Sequence, residues 1–177
     1  MRPEANLVLA ESSAVFSECR RYRYLLKRVF AEGPAVMFVG LNPSTADEYQ
    51  DDPTIRRCLG FARRWGFGTL VMANLYAFRA TDPARLFLVD APTGGPPHTL
   101  ALSRASRGVE RIVAAWGANL GPVRDRPDAI MRLLDGPDFP RTVALGLTQA
   151  GEPRHPLYVK GDVEPIEYPP GRRGVPR

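Results

Sequence analysis

A chain of 177 residues with 44% hydrophobic content is long enough to bury one core, and a single domain is expected with its core over about residues 17–168, between a flexible N-terminal segment and a flexible 169–177 tail. No apolar run approaches the roughly 18 residues that a membrane-crossing helix needs, and no basic stretch followed by a long apolar one opens the chain, so a soluble, cytoplasmic protein without membrane contacts is expected. The net charge of +5 and pI near 9.6 suit a polyanionic partner such as DNA or a nucleotide, and a solvated basic surface accounts for them equally well, because Arg172, Arg173 and Arg177 all sit in the closing GRRGVPR.

The first element in chain order is Arg20 to Phe30 (RRYRYLLKRVF), which reads as an edge strand leading to the turn Glu32-Gly33-Pro34. Four apolar runs follow, Ala35 to Leu41, Thr69 to Ala73, Arg111 to Ala115 and Thr142 to Leu145. Each is continuous rather than alternating, the pattern of strands buried on both faces. Between the first two runs, Asp52 can cap a helix and Pro53 suits its first position, while Ile55, Cys58, Leu59, Ala62 and Trp65 recur at helical spacing. Arg56, Arg57, Arg63 and Arg64 fall mostly on the other side of that helix and read as a solvated face. Arg79 to His98 reads as a long loop ending in DAPTGGPPH, and helices are expected over Thr99 to Glu110 and Asp128 to Leu134. Strands alternating with helices imply a three-layer α/β/α sandwich around a mostly parallel, four-stranded central sheet.

In such sheets ligands bind beyond the carboxyl ends of the strands. There the sequence places Gly40-Leu41-Asn42-Pro43-Ser44 after the first core strand, Asn74 at the end of the second, and His155 in GLTQAGEPRHPLY after the fourth. Each has a plainer alternative: Asn42-Pro43 starts a turn, Asn74 satisfies backbone groups at a strand end, and His155 is a surface loop residue. Ser44 lies in no GxSxG elbow, and neither GxxxxGK[ST] nor GxGxxG occurs, so nucleophile-elbow, P-loop and dinucleotide chemistry have no motif support. Asp47, Glu48, Asp51 and Asp52 cluster as for a divalent cation, but a polar loop with a helix cap explains them more simply. Cys19 and Cys58 form no CxxC, and His98 and His155 lack ligand spacing. No metal and no cofactor are expected, and the thiols are expected to be reduced.

GLNPS, Asn74 and His155-Pro156, in this order at strand ends, resemble the uracil-DNA glycosylase superfamily, whose mismatch-specific branch carries Gly-Ile-Asn-Pro-Gly in the first loop. Over most of residues 17 to 160 the chain also resembles the bacterial family catalogued as domain of unknown function 1643, through GLNPSTAD, DDPTIRRC, ATDP, AWG and RHPLY. The first resemblance implies a uracil-DNA-glycosylase-like fold and recognition of a nucleobase, with hydrolysis of an N-glycosidic bond in DNA or a nucleotide. By that likeness Asn42 positions the attacking water, Asn74 bonds the base edge and His155 stabilises charge on the departing base. Gly40, Pro43 and Ser44 then belong to the base-binding loop, Tyr76 or Tyr49 is the stacking aromatic, and Arg56, Arg79 and Arg154 are candidates for phosphate contacts. A departure is the segment HPLYV, which stands where double-strand glycosylases carry a Ser-Pro-rich wedge; Leu157 or Tyr158 is left to insert or stack. The same pocket without catalysis, in a nucleobase- or nucleic-acid-binding module, is the alternative.

Overall fold

The computed structural model describes residues 11–168, so the tail expected to be flexible and the first ten residues lie outside it. The strands are β1 (Glu11–Phe16), β2 (Arg23–Val29), β3 (Ala35–Gly40), β4 (Thr69–Asn74), β5 (Arg111–Ala114), β6 (Thr142–Ala144) and β7 (Ile166–Glu167). They form one sheet in the order β1-β2-β4-β3-β5-β6-β7. Strands β4, β3, β5 and β6 run parallel, and β1, β2 and β7 add antiparallel neighbours at the two sides.

The sheet is therefore mixed and seven-stranded, a correction to the four-stranded, mostly parallel sheet expected. The four apolar runs mark only the parallel strands in the middle of the sheet. The added strands announce themselves weakly: β1 is largely exposed and β7 is two exposed residues. Nor is β2 an edge, because it pairs with β1 on one side and β4 on the other.

Helix α1 (Pro53–Arg64) covers one face of the sheet, and α2 (Gly95–Ser106) and α3 (Arg126–Leu133) cover the other. On the α1 side Val36, Phe38, Leu70, Met72 and Val113 pack with Ile55, Cys58, Leu59, Phe61 and Ala62. On the opposite side Met37, Val39, Val71, Ala73, Ile112 and Ala114 meet Leu102, Ile130 and Met131. Burying each large side chain contributes about 1.5–3 kcal/mol, which is why successive residues of β3 are all apolar. None of the described helices is long and apolar enough to cross a membrane.

The start of α1 follows its sequence: the Asp52 carboxylate accepts from the Ile55 amide at 2.9 Å. Helix α2 begins four residues earlier than the sequence suggested, inside the Pro- and Gly-rich stretch. Pro96 and Pro97 fall in its first turn, where the missing amide hydrogens would have no helical partner anyway. The preceding loop also holds a 3₁₀ turn, Pro83–Leu88, capped by Asp82.

Between β3 and α1, the loop over residues 41–52 is pinned by a charge. Arg28 of β2 is 1% exposed, pairs with Asp51 at 2.9 Å, and also donates to the Lys27, Asp47 and Gln50 carbonyls. Removing one partner of a buried ion pair strands the other charge away from water. Asp51→Ala is expected to cost about 3 kcal/mol in urea unfolding; a loss below about 1 kcal/mol would mean that the carbonyls alone satisfy Arg28.

Candidate functional site

The carboxyl ends of the parallel strands open onto a cavity of about 750 Å³. Gly40, Asn42 and Ser44 line it from the β3 loop, Asn74 from the tip of β4, Trp116 and Gly117 from beyond β5, and Arg154 and His155 from beyond β6. Asp52 and Arg23 complete the charged lining. Asn42, Asn74 and His155 thus come from three separate strand ends into one space.

Close approach of β3 and β4 sets the floor. Gly40 faces Asn74 in the parallel register, and a Cβ on Gly40 would lie 2.8 Å from both Asn74 Nδ2 and Met72 Cε. Only glycine lets the Asn74 amide lie against the neighbouring strand. Asn74 is itself 2% exposed, and its Oδ1 accepts from Arg23 Nη2 at 3.4 Å.

Asn42 is held by its amide nitrogen. Nδ2 donates to Ala80 O at 2.8 Å and to Pro43 O at 3.1 Å, while the Ala80 amide donates to Pro43 O at 2.9 Å. Both donors of the side chain are spent on the scaffold, which leaves Oδ1 as an acceptor.

His155 is fixed by the chain on either side of it. Gly117, with φ at +80°, donates to Pro153 O at 3.0 Å, and a Cβ there would sit 3.3 Å from that of His155. Trp116 Nε1 donates to Glu152 Oε2 at 3.1 Å, tying the end of β5 to the same loop. The Leu157 amide donates to His155 Nδ1 at 3.3 Å, so a neutral ring carries its proton on Nε2 and that atom is a donor. Burial lowers the His155 pKa, opposed by the charge of Asp52, and favours the neutral ring. After His155, Pro156–Tyr158 form a 3₁₀ turn in which both Leu157 and Tyr158 line the cavity, Tyr158 at its mouth and 80% exposed. Arg57 of α1 donates to the Pro156 and Val159 carbonyls, so this arginine fastens the turn rather than joining the solvated face expected of it.

Other residues singled out in the sequence lie elsewhere. Pro43 is buried and contributes its carbonyl to the turn without lining the cavity. Tyr76 is fully buried on the α2 and α3 side, where its hydroxyl donates to Leu120 O at 2.7 Å and accepts from the Val123 amide at 3.0 Å. Tyr49 is 90% exposed and does not line the cavity either. Arg56 bonds the Asp51 carbonyl on the exposed side of α1, and Arg79 lies against Phe16 while donating to Arg20 O. Of the three arginines considered for phosphate contacts, only Arg154 reaches the cavity.

The acidic cluster is taken apart by the fold. Asp47 accepts from the Tyr49 and Gln50 amides, Glu48 pairs with Arg20, Asp51 with Arg28, and Asp52 caps α1. Among the described residues no group of three potential ligands could hold a metal ion. Arg23 gave no sign in the sequence, where it opens a strand with scattered charges. It is 2% exposed, donates to Ala46 O at 2.9 Å, and leaves Nε without a partner. Burial pulls its pKa down to about 10 despite the nearby charge of Asp52.

Residues 23–157 match the family described as "Protein of unknown function (DUF1643)". No curated protein and no solved structure matches the chain.

The chain has two histidines, so their ring titrations can be resolved by NMR. Burial, reinforced by Arg126, pushes His98 down to about 4, with Arg126 Nη2 3.2 Å from its Nδ1. Stability from a base kept neutral in the fold is present above its unfolded value near 6.5 and is lost as pH falls toward 4; for His98 this is on the order of 3 kcal/mol. His98 is expected to titrate well below His155, and both below the ordinary histidine value. Asp52→Asn should lower the His155 midpoint further. A His155 midpoint at or above the ordinary value would mean that burial does not outweigh the charge of Asp52 at this ring.

Proposed function

The chain belongs to the protein family DUF1643, whose function is unknown, and we propose that it is a uracil-DNA-glycosylase-like protein that recognises a nucleobase and hydrolyses an N-glycosidic bond in DNA or a nucleotide. One observation carries the reading: Asn42, Asn74 and His155 line a single cavity at the carboxyl ends of parallel strands. The same placement supports kinship with the uracil-DNA glycosylase superfamily in fold.

The chemistry follows from what each group has left to offer. As the bond from the sugar to the base nitrogen breaks, positive charge grows on the sugar and negative charge on the base. A donor aimed at a base oxygen lowers that barrier, and the Nε2–H of a neutral His155 is such a donor. Asn42 Oδ1 can accept a hydrogen bond from a water and so orient its oxygen toward the sugar carbon, but an amide is too weak a base to take the proton. Asn74, its Oδ1 engaged by Arg23, offers Nδ2 as a donor to the base edge. Arg154, exposed at the cavity, is placed to meet a phosphate.

Recognition without catalysis is the second reading, and the segment after His155 favours it. HPLYV forms a short turn strapped to α1 by Arg57, with one exposed tyrosine, in place of a loop built to enter a duplex.

Single- and double-stranded oligonucleotides carrying uracil, mispaired thymine, or alkylated or deaminated bases, together with free nucleotides, separate the two readings. Wild-type protein is expected to release base and leave an abasic product, with His155→Ala slower by about 10²–10³-fold and Asn42→Ala strongly impaired. Saturable, base-dependent binding with no product on any substrate would remove the hydrolase and leave the binding module. Affinity independent of salt would remove phosphate contacts from either one.

A further inference from the structure

Hydrolysis by an asparagine alone lacks a proton acceptor, and the cavity contains one. Asp52 is the sole carboxylate among its described lining residues, and it is 8% exposed. The other acidic residues of the same loop are committed away from the cavity, Asp51 to Arg28 and Glu48 to Arg20.

Asp52 has a structural duty, since one oxygen accepts from the Ile55 amide at 2.9 Å. That duty uses Oδ1 and does not require charge, because serine and asparagine cap helices as well as aspartate. A mostly buried carboxylate costs more than either neutral cap unless its charge is used. The charge interacts with both Arg23 and His155, the two residues that approach the cavity from β2 and from beyond β6. Its position is firm: the preceding residue is locked by Arg28, and the following one starts α1.

We propose that Asp52 is the general base of the reaction, taking the proton of the water that Asn42 orients. The inference rests on the hydrolytic reading above. The water oxygen forms a bond to the sugar carbon as its proton passes to Asp52 Oδ2. The bond from that carbon to the base nitrogen breaks, and its electron pair leaves with the base, whose charge the Nε2–H of His155 meets. The proton held by Asp52 then passes to the departed base or to solvent, which restores the carboxylate. Asn42 and Asp52 thus divide a task that one carboxylate could do alone: the amide orients the water, and the acid removes its proton.

Asp52→Asn tests this directly, because asparagine preserves the cap and the shape while removing the base. Single-turnover release of base from the best oligonucleotide substrate is measured for wild type and variant, with KM and thermal unfolding alongside. The variant is expected to be slower by about 10²–10⁴-fold at unchanged KM, while still folded at the assay temperature. Asp52→Ser, a second capping residue, should be equally impaired, which separates the lost base from any effect peculiar to the amide. Variants within about threefold of an active wild type overturn the role of Asp52 and leave the proposed hydrolysis standing. Product from neither wild type nor variants overturns the hydrolysis itself, and this step with it.

Discussion

The cavity depends on two arginines buried on one strand. Arg23 and Arg28 lie near opposite ends of β2, and both reach the loop that runs from β3 to α1. Arg23 takes the Ala46 carbonyl; Arg28 takes those of Asp47 and Gln50 and the carboxylate of Asp51. A loop of this polarity would otherwise be left to water. Held from beneath, it ends at Asp52 with the geometry that starts α1, and it forms one wall of the cavity. Two buried guanidinium groups are an expensive way to fix a loop when apolar packing is available. The cost is easier to understand for a loop that must carry fixed polar groups into a ligand site.

The parts that could be read in advance are those where one physical signal dominates. The core strands showed because burial on both faces favours runs of apolar side chains, as in Val36 to Val39. Helix α1 showed because cap, proline and apolar spacing agree, with Asp52, Pro53 and the buried stripe Ile55, Cys58, Leu59 and Ala62. From these alone, the rule that ligands sit beyond the carboxyl ends of parallel strands led to Gly40, Asn42, Asn74 and His155.

What escaped the sequence depended on tertiary partners. Strand β1 has no alternation because it lies at the sheet margin, and its place follows from pairing with β2 rather than from its own residues. Helix α2 starts among prolines because the first turn asks nothing of their missing amides. Tyr76, two residues beyond Asn74, follows the chain into the opposite core, where its hydroxyl closes the turn around Leu120 and Val123. An arginine in a strand reads as exposed by default, so Arg23 could be recognised only once the fold had enclosed it.

Asn42, Asn74 and His155 are each half spent on the scaffold, and this fixes the polarity of the other half. Asn42 gives both donors to Ala80 and Pro43 and keeps an acceptor. His155 gives its Nδ1 lone pair to Leu157 and keeps a donor at Nε2. Asn74 gives its oxygen to Arg23 and keeps its Nδ2 donors beside Gly40. An asparagine free to flip, or a histidine free to change tautomer, would suit many ligands and pay to be ordered by each. Here the polarity of these three groups is set before anything binds, which is the condition under which electrostatic stabilisation of a developing charge is most effective. Backbone groups set this polarity at Asn42 and His155, and the buried Arg23 guanidinium sets it at Asn74, so it is the scaffold around the cavity, more than the identity of the three side chains, that fixes which of their atoms face a ligand.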